Sequence, residues 1–273
     1  MATLFAILET KIATPQNFGW FHFLFLFLIT LATVLSCVFF RNCSDKAFRR
    51  FALICWLIML IFEIYKQFIY TFDFVDGKII GDYKWNAFPF QLCSTPLYVL
   101  PLVAFLKDGK IRRSATAFIS AFAFFGGLAV CFYPNDVFTE FLGIDIQTMT
   151  HHGLQVVTGI FFAVYNRKKI GFKYFLSSIP TFLVLLVIAV GLNEIVNAYF
   201  IANNISDTFN MFFISRFIPN HLPILSAVYL AVDWIFFLLI YAVGFTFVSL
   251  LIFYVIVGIN LLVNKHSHKN GTL

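Results

Sequence analysis

Charged residues are scarce in this chain: only 12% of its 273 residues carry charge, against 61% that are hydrophobic. That balance excludes a water-soluble globular domain, because one core cannot hide so much apolar surface. Cys37, Cys43, Cys55, Cys93 and Cys131 form no CxxC or comparable ligand spacing, which disfavours the familiar zinc and redox motifs. An odd cysteine count argues against a disulfide framework. A Cys93–Cys131 bridge between the outer ends of neighbouring helices is geometrically conceivable but disfavoured. No clear repeat relates the two halves. No convincing small-residue cleavage site follows the first apolar run, so that run is expected to stay as a membrane helix.

Long hydrophobic runs are what the sequence does have. Crossing a bilayer takes about 20 apolar residues, and seven stretches reach or approach this, near Phe18–Phe40, Ala47–Phe72, Phe88–Leu106, Ser114–Tyr133, Thr148–Tyr165, Phe175–Phe200 and Leu230–Val263. They predict an all-α polytopic membrane helix bundle, a single integral membrane domain over residues 1–273. A shorter stretch, Met211–Tyr229, is interrupted by Arg216, Pro219, Asn220, His221 and Pro223 and reads as a re-entrant or interfacial segment. The 39 phenylalanines are spread over every span and carry no site information.

Lys and Arg accumulate in cytoplasmic loops. Arg41, Lys46, Arg49 and Arg50 fill the first connection, Lys107, Lys110, Arg112 and Arg113 the third, Arg167, Lys168, Lys169 and Lys173 the fifth, and Lys265 and Lys269 the tail. The alternate connections are acidic, with Asp73, Asp76 and Asp82, then Asp136, Glu140 and Asp145, then Glu194 and Asp207. The pattern predicts an outward N-terminus and a cytoplasmic C-terminus. It also divides the formal charge of +6 among short loops beside membrane ends, where headgroup attraction accounts for it. Nucleic acid is not an expected partner; membrane phospholipid is.

With this topology the polar residues inside the spans fall into one layer in the outer half of the bilayer: Glu63, Lys66, Gln67 and Tyr70, then Gln91 and Cys93, then His151, His152 and Gln155, then Asn193, Asn197 and Asp233. Asn260 is the clearest polar residue of the other half. Such groups are costly in lipid, about 2.5–3.5 kcal/mol for an Asp or Lys at a helix centre, so they should face protein or water. The spacing of Glu63, Lys66, Gln67 and Tyr70 puts them on one helical face with Glu63 able to pair with Lys66. His151, Gln155 and Thr158 share a face, as do Asn193 and Asn197. Interhelical hydrogen bonding alone is the simplest account of the amides, whereas intramembrane ionisable groups are functional candidates by default.

Pro89, Pro96 and Pro101 punctuate the third span. Pro96 offers no N–H to the Leu92 carbonyl, nor Pro101 to that of Leu97. Broken backbone at membrane depth is tolerated where it meets protein or a wet cavity, and the break lies beside Cys93. A thiol there needs a base, which His151 or His152 can supply. Adjacent helical residues point about 100° apart, so one histidine is expected to face it, and the stripe with Gln155 favours His151. No cofactor is expected. Zinc binding by the histidines with Asp145 or Asp233 is disfavoured by that divergence and by the missing ligand spacing.

Phe88-Pro89-Phe90-Gln91-Leu92-Cys93, the Glu-bearing helix before it, Gly126-Gly127, His151-His152-Gly153 and Asn193 together resemble the YwaF-like integral membrane proteins of bacteria, a family related to eukaryotic transmembrane phospholipid acyltransferases. The resemblance covers most of the chain and implies a multi-pass protein of the bacterial plasma membrane. It further implies Cys93 as an acyl-carrying nucleophile assisted by a histidine. Gln91 is a departure, standing where many relatives have histidine. The leading expectation is therefore a lipid acyltransferase or acyl hydrolase, with Gln91, Asn193 or Asn197 donating to the oxyanion. The alternatives are a small-solute or proton-coupled transporter built on Glu63, Lys66, His151 and Asp233, and a noncatalytic membrane partner protein.

Overall fold

A computed structural model describes the backbone of residues 2–134, 137–220 and 222–270. Asp136 and His221 lie outside the described residues, as do the side chains of 259–270, which include Asn260, Lys265 and Lys269. Eleven α-helices are described: α1 Ala2–Leu8, α2 Trp20–Phe40, α3 Asp45–Ile69, α4 Pro96–Phe105, α5 Lys110–Phe118, α6 Phe124–Phe132, α7 Leu142–Tyr165, α8 Phe172–Leu176, α9 Ile179–Ala202, α10 Leu225–Ala231 and α11 Trp234–Asn270. A π-helical turn, Ile119–Ala123, fuses α5 and α6 into one rod. Five helical segments are long and apolar enough to cross a membrane: Trp20–Phe40, Asp45–Ile69, Lys110–Phe132, Phe172–Ala202 and Trp234–Gly258. The chain is thus a multi-pass membrane protein.

The other two expected spans differ from these five for separate reasons. Helix α7 has 24 residues, about 36 Å at 1.5 Å per residue, but His151, His152 and Gln155 dilute its hydropathy. It can carry them because α2, α3, α5, α6 and α11 all pack on it, keeping lipid away. The third expected span is half a span. Helix α4 has only 10 residues, about 15 Å against a hydrocarbon core of about 30 Å. Pro96 occupies the first helical position, where its missing N–H costs nothing, and residues 88–95 ahead of it form an irregular segment ending in a 3₁₀ turn, Leu92–Ser94.

Helix α3 shows why its polar stripe faces inward. Ser44 caps it, accepting from Ala47 N at 3.3 Å, and Asp45 sits in the first turn where the helix dipole favours a carboxylate. Phe48, Ala52, Cys55, Met59 and Glu63 are buried at helical spacing, while Ile54, Leu57, Ile61 and Ile64 are exposed on the opposite face. The same periodicity that gives lipid its apolar surface aims Glu63 at the bundle.

One β-hairpin accompanies the helices of this mostly helical fold. Strands β1 Phe72–Val75 and β2 Lys78–Gly81 pair antiparallel with Phe72 opposite Gly81, joined through Asp76 and Gly77 at φ 50° and 75°. An Asp-Gly pair with both residues left-handed is the turn that suits a two-residue hairpin. The segment read as re-entrant, 211–229, contains a 3₁₀ turn, Met211–Phe213, and all but the last two residues of α10.

The basic loops gather at one end of the bundle. Arg49 donates to Ala104 O at 2.7 Å and Phe105 O at 3.0 Å, Arg167 to Arg41 O at 2.8 Å, and buried Arg112 pairs with Asp45. At the opposite end Ile12 N donates to Glu140 O at 2.8 Å and Leu142 N to Thr10 O at 3.0 Å, fastening the N-terminal segment over the start of α7.

Candidate functional site

The irregular segment at residues 88–95 leaves main-chain groups that no helix satisfies, and buried carbonyls without partners are costly. Side chains from α3 and α7, together with Thr95 and Tyr98 nearby in the chain, supply the missing partners. Trp56 Nε1 donates to Leu97 O at 2.9 Å, the carbonyl released by Pro101. Thr95 donates to Leu92 O from both its backbone N at 3.3 Å and its Oγ1 at 2.6 Å. Tyr98 OH reaches Pro89 O at 2.9 Å, and Gln67 Nε2 reaches Ala87 O at 2.8 Å.

The Cys93 carbonyl is met twice from α7, by His151 Nε2 at 3.0 Å and Gln155 Nε2 at 2.8 Å. A carbonyl oxygen only accepts, so a neutral His151 carries its proton on Nε2 and presents a bare lone pair at Nδ1. That Nδ1 is buried without a partner. His152 is organised differently. Its Nδ1 binds Thr148 O one turn back in its own helix at 2.8 Å, leaving Nε2 bare and buried. Of the two histidines, His151 is the one tied to Cys93, as its stripe with Gln155 suggested.

The glycine pair of α6 makes this closeness possible. A Cβ on Gly127 would sit 2.6 Å from both Gln155 Cβ and His152 O, so only glycine lets α6 approach α7 here. One residue earlier the space is looser: a Cβ on Gly126 would lie 3.5 Å from Gln155 Oε1 and 3.9 Å from Cys93 Cα.

The expected Glu63–Lys66 pair is present, with Lys66 Nζ 2.8 Å from Glu63 Oε1 and Gln67 Nε2 at 2.7 Å from the same oxygen. Both charges lie within electrostatic range of Cys93, and Lys66 also of His151 and His152. Glu63 Oε2 and Gln155 Oε1 are further buried acceptors without partners. Near Cys93 the fold therefore collects a cation, Lys66, and several buried acceptors without partners. Tyr241 of α11 also lies within electrostatic reach of Cys93. Sequence reasoning missed it, although it is a tyrosine within a predominantly apolar span.

Three residues of the layer do other work. Gln91 accepts from Phe212 N at 2.8 Å and donates to Asn210 O at 2.9 Å. Asn193 grips Met211 on both sides, donating to its O at 2.9 Å and accepting from its N at 2.7 Å. Asn197 donates to Phe209 O at 2.8 Å. Together they hold a loop in which Phe212 and Phe213 take φ of 58° and 57°, a conformation that persists only where its surroundings over-determine it. Replacing Asn193 with Leu is expected to lower the thermal midpoint in detergent, removing two buried hydrogen bonds worth about 1 kcal/mol each; an unchanged midpoint would show that the loop holds itself.

Asp233 stands apart from the layer. It is exposed immediately before α11, and its carbonyl accepts from Phe237 N at 2.9 Å. Asp145 is buried in the first turn of α7, with Oδ1 accepting from Thr139 N at 2.7 Å. All five cysteines are free, so the Cys93–Cys131 bridge is not formed. Among the described residues no group of three or more His, Cys, Asp or Glu side chains is placed to hold a metal ion. His22, another residue the sequence reading passed over, is buried with both nitrogens used, accepting from Phe18 N at 2.9 Å and donating to Cys131 O at 2.8 Å.

A model of the TMEM164 family matches residues 17–258, from the approach to α2 through most of α11. The chain belongs to the TMEM164 family. The matched region contains Cys93, His151, Gln155 and Gly127, so the whole candidate site lies within the part that the TMEM164 family model covers. No curated protein and no solved structure matches the chain.

Proposed function

We propose that this TMEM164-family protein transfers or hydrolyses acyl chains on membrane phospholipids, with Cys93 as nucleophile and His151 as base. One observation carries the reading: His151 is anchored to the main chain of Cys93 through one nitrogen while its other nitrogen stays bare in a buried site. The resemblance to YwaF-like proteins and transmembrane acyltransferases supports the same chemistry. Cys93 Sγ attacks the ester carbonyl carbon, and a C–S bond forms as the bond to the lipid oxygen breaks. The thiol proton passes through His151 Nδ1 to that leaving oxygen. A lipid hydroxyl or water then attacks the thioester, its proton returning to the thiol by the same nitrogen.

The oxyanion donors first expected, Gln91, Asn193 and Asn197, already have their amides committed to the 209–215 loop. Asn210 Nδ2, a buried donor without a partner, is the better choice, since Gln91 ties its backbone to the segment bearing Cys93. The proposal retains seven membrane crossings, counting α7 and the irregular segment with α4 beside the five long helices. The basic end faces the cytoplasm and the Cys93 layer the outer leaflet. Replacing His151 with Ala is expected to slow acylation of Cys93 by about 10²–10⁴-fold, the usual worth of a positioned base. Single-turnover acylation with a phospholipid substrate reads this, and an unchanged rate would remove His151 from the chemistry.

A second reading is favoured by the bare acceptors Glu63 Oε2, His152 Nε2 and Gln155 Oε1, which suit a proton or small cation in transit. Flux into proteoliposomes that depends on Glu63 and not on Cys93 would select transport. Wild-type stability and growth after removing Cys93, His151 and Glu63 would select a noncatalytic membrane partner.

A further inference from the structure

The basic end of the bundle holds a second site, remote from the candidate thiol. A cavity of about 360 Å³ is bounded there by Asp45, Asp108, Arg112, Arg113, Lys169 and Lys173. Its two carboxylates are already engaged, Asp45 by Arg112 and Asp108 by Arg113 at 2.6 Å. Lys169 and Lys173 form no ion pair among the described residues and are exposed on the cavity rim. The pocket therefore carries uncompensated positive charge, and it suits an anion.

Arg113 and Ser177 also line a larger, mostly apolar groove of about 620 Å³ between α4, α5 and α9. Ser114 Oγ lies 2.7 Å from Thr181 Oγ1, joining α5 to α9 across it. Val99, Leu102, Val184 and Ile188 contribute apolar lining, and Val184 and Ile188 are exposed on the lipid-facing side of α9. The groove extends to Tyr98, whose hydroxyl holds Pro89. Both volumes fall within the range of about 300–1,000 Å³ common to ligand sites. An anionic pocket partner and an apolar groove partner joined through shared residues describe a single amphiphile.

We propose that an anionic phospholipid seats its phosphate among Arg113, Lys169 and Lys173 and lays an acyl chain in the groove between α4, α5 and α9. The lateral opening toward α9's lipid face selects a bilayer lipid over a soluble phosphate compound, which would have no use for the groove. This site does not depend on the chemistry assigned to Cys93. Occupancy would brace α4, the helix that follows the Cys93 segment, against α5 and α9.

Native mass spectrometry of the full chain in uncharged detergent, with equimolar phosphatidylglycerol and phosphatidylcholine, tests it. Wild type is expected to retain phosphatidylglycerol selectively. The double substitution Lys169→Gln and Lys173→Gln, at exposed positions on which no ion pair rests among the described residues, should reduce that preference about thirtyfold, at about 1 kcal/mol per cation. Val184→Trp, which fills the groove from its lipid side, should reduce retention of the anionic lipid with the lysines intact. The proposal is overturned if wild type shows no preference, if both variants bind as wild type does, or if saturating inorganic phosphate alone displaces the lipid completely.

Discussion

Replacing Cys93 with Ala is expected to leave a folded, membrane-inserted protein that has lost acyl transfer entirely. The two outcomes separate cleanly because the structural duties of residue 93 belong to its carbonyl oxygen. That oxygen receives His151 and Gln155, and alanine keeps it. The histidines bond to main-chain oxygens and not to the thiol, so its removal costs the packing of the sulfur and its contact with the Ser94 hydroxyl. A purely structural Cys93 would show the reverse, a shifted thermal midpoint with activity intact. Turnover of a labelled phospholipid in liposomes, measured beside thermal unfolding in detergent, distinguishes the two.

The second large effect is expected at Gly127. Alanine there places a methyl group 2.6 Å from the main-chain oxygen of His152 and from Gln155 Cβ, and backbone cannot step aside as a flexible side chain can. Helix α6 must move off α7, at a cost of about 1–3 kcal/mol or more. Gln155 would lose its seat at Cys93 O, so activity and stability should fall together. Gly126→Ala, one residue away, meets nothing closer than 3.5 Å and should be nearly neutral in both. The contrast between neighbouring glycines, read by thermal midpoint and turnover, is the discriminating result; equal effects at 126 and 127 would contradict the close approach of α6 and α7.

Periodicity makes some of this legible from sequence. The 3.6-residue stripe of α3 by itself places Glu63 beside Lys66, and Pro96 marks the break next to Cys93. What periodicity cannot say is how a polar group is spent. Gln91 and Asn193 read from the sequence either as structural hydrogen bonders or as oxyanion donors, and each serves main-chain atoms of the loop around Met211. Those partners depend on tertiary contact, which local pattern does not encode. The same limit hides the hairpin: Asp76-Gly77 is a turn signal, but the flanking four-residue strands are too short to show alternation. Asp233 falls in the layer by depth alone, and depth does not distinguish a helix interior from an exposed helix start. Helix α7 poses the opposite problem, since it tolerates the polar residues that lower its hydropathy only because other helices surround it.

The central claim is that Cys93 carries an acyl group. Intact-mass measurement of the purified protein after incubation with a phospholipid of known acyl composition tests it most directly. The account predicts a mass increase equal to one acyl chain, mapped to Cys93, removed by hydroxylamine and absent from the Cys93→Ala variant. Unmodified Cys93 in a preparation that turns the lipid over, with Cys93→Ala equally active, would contradict it.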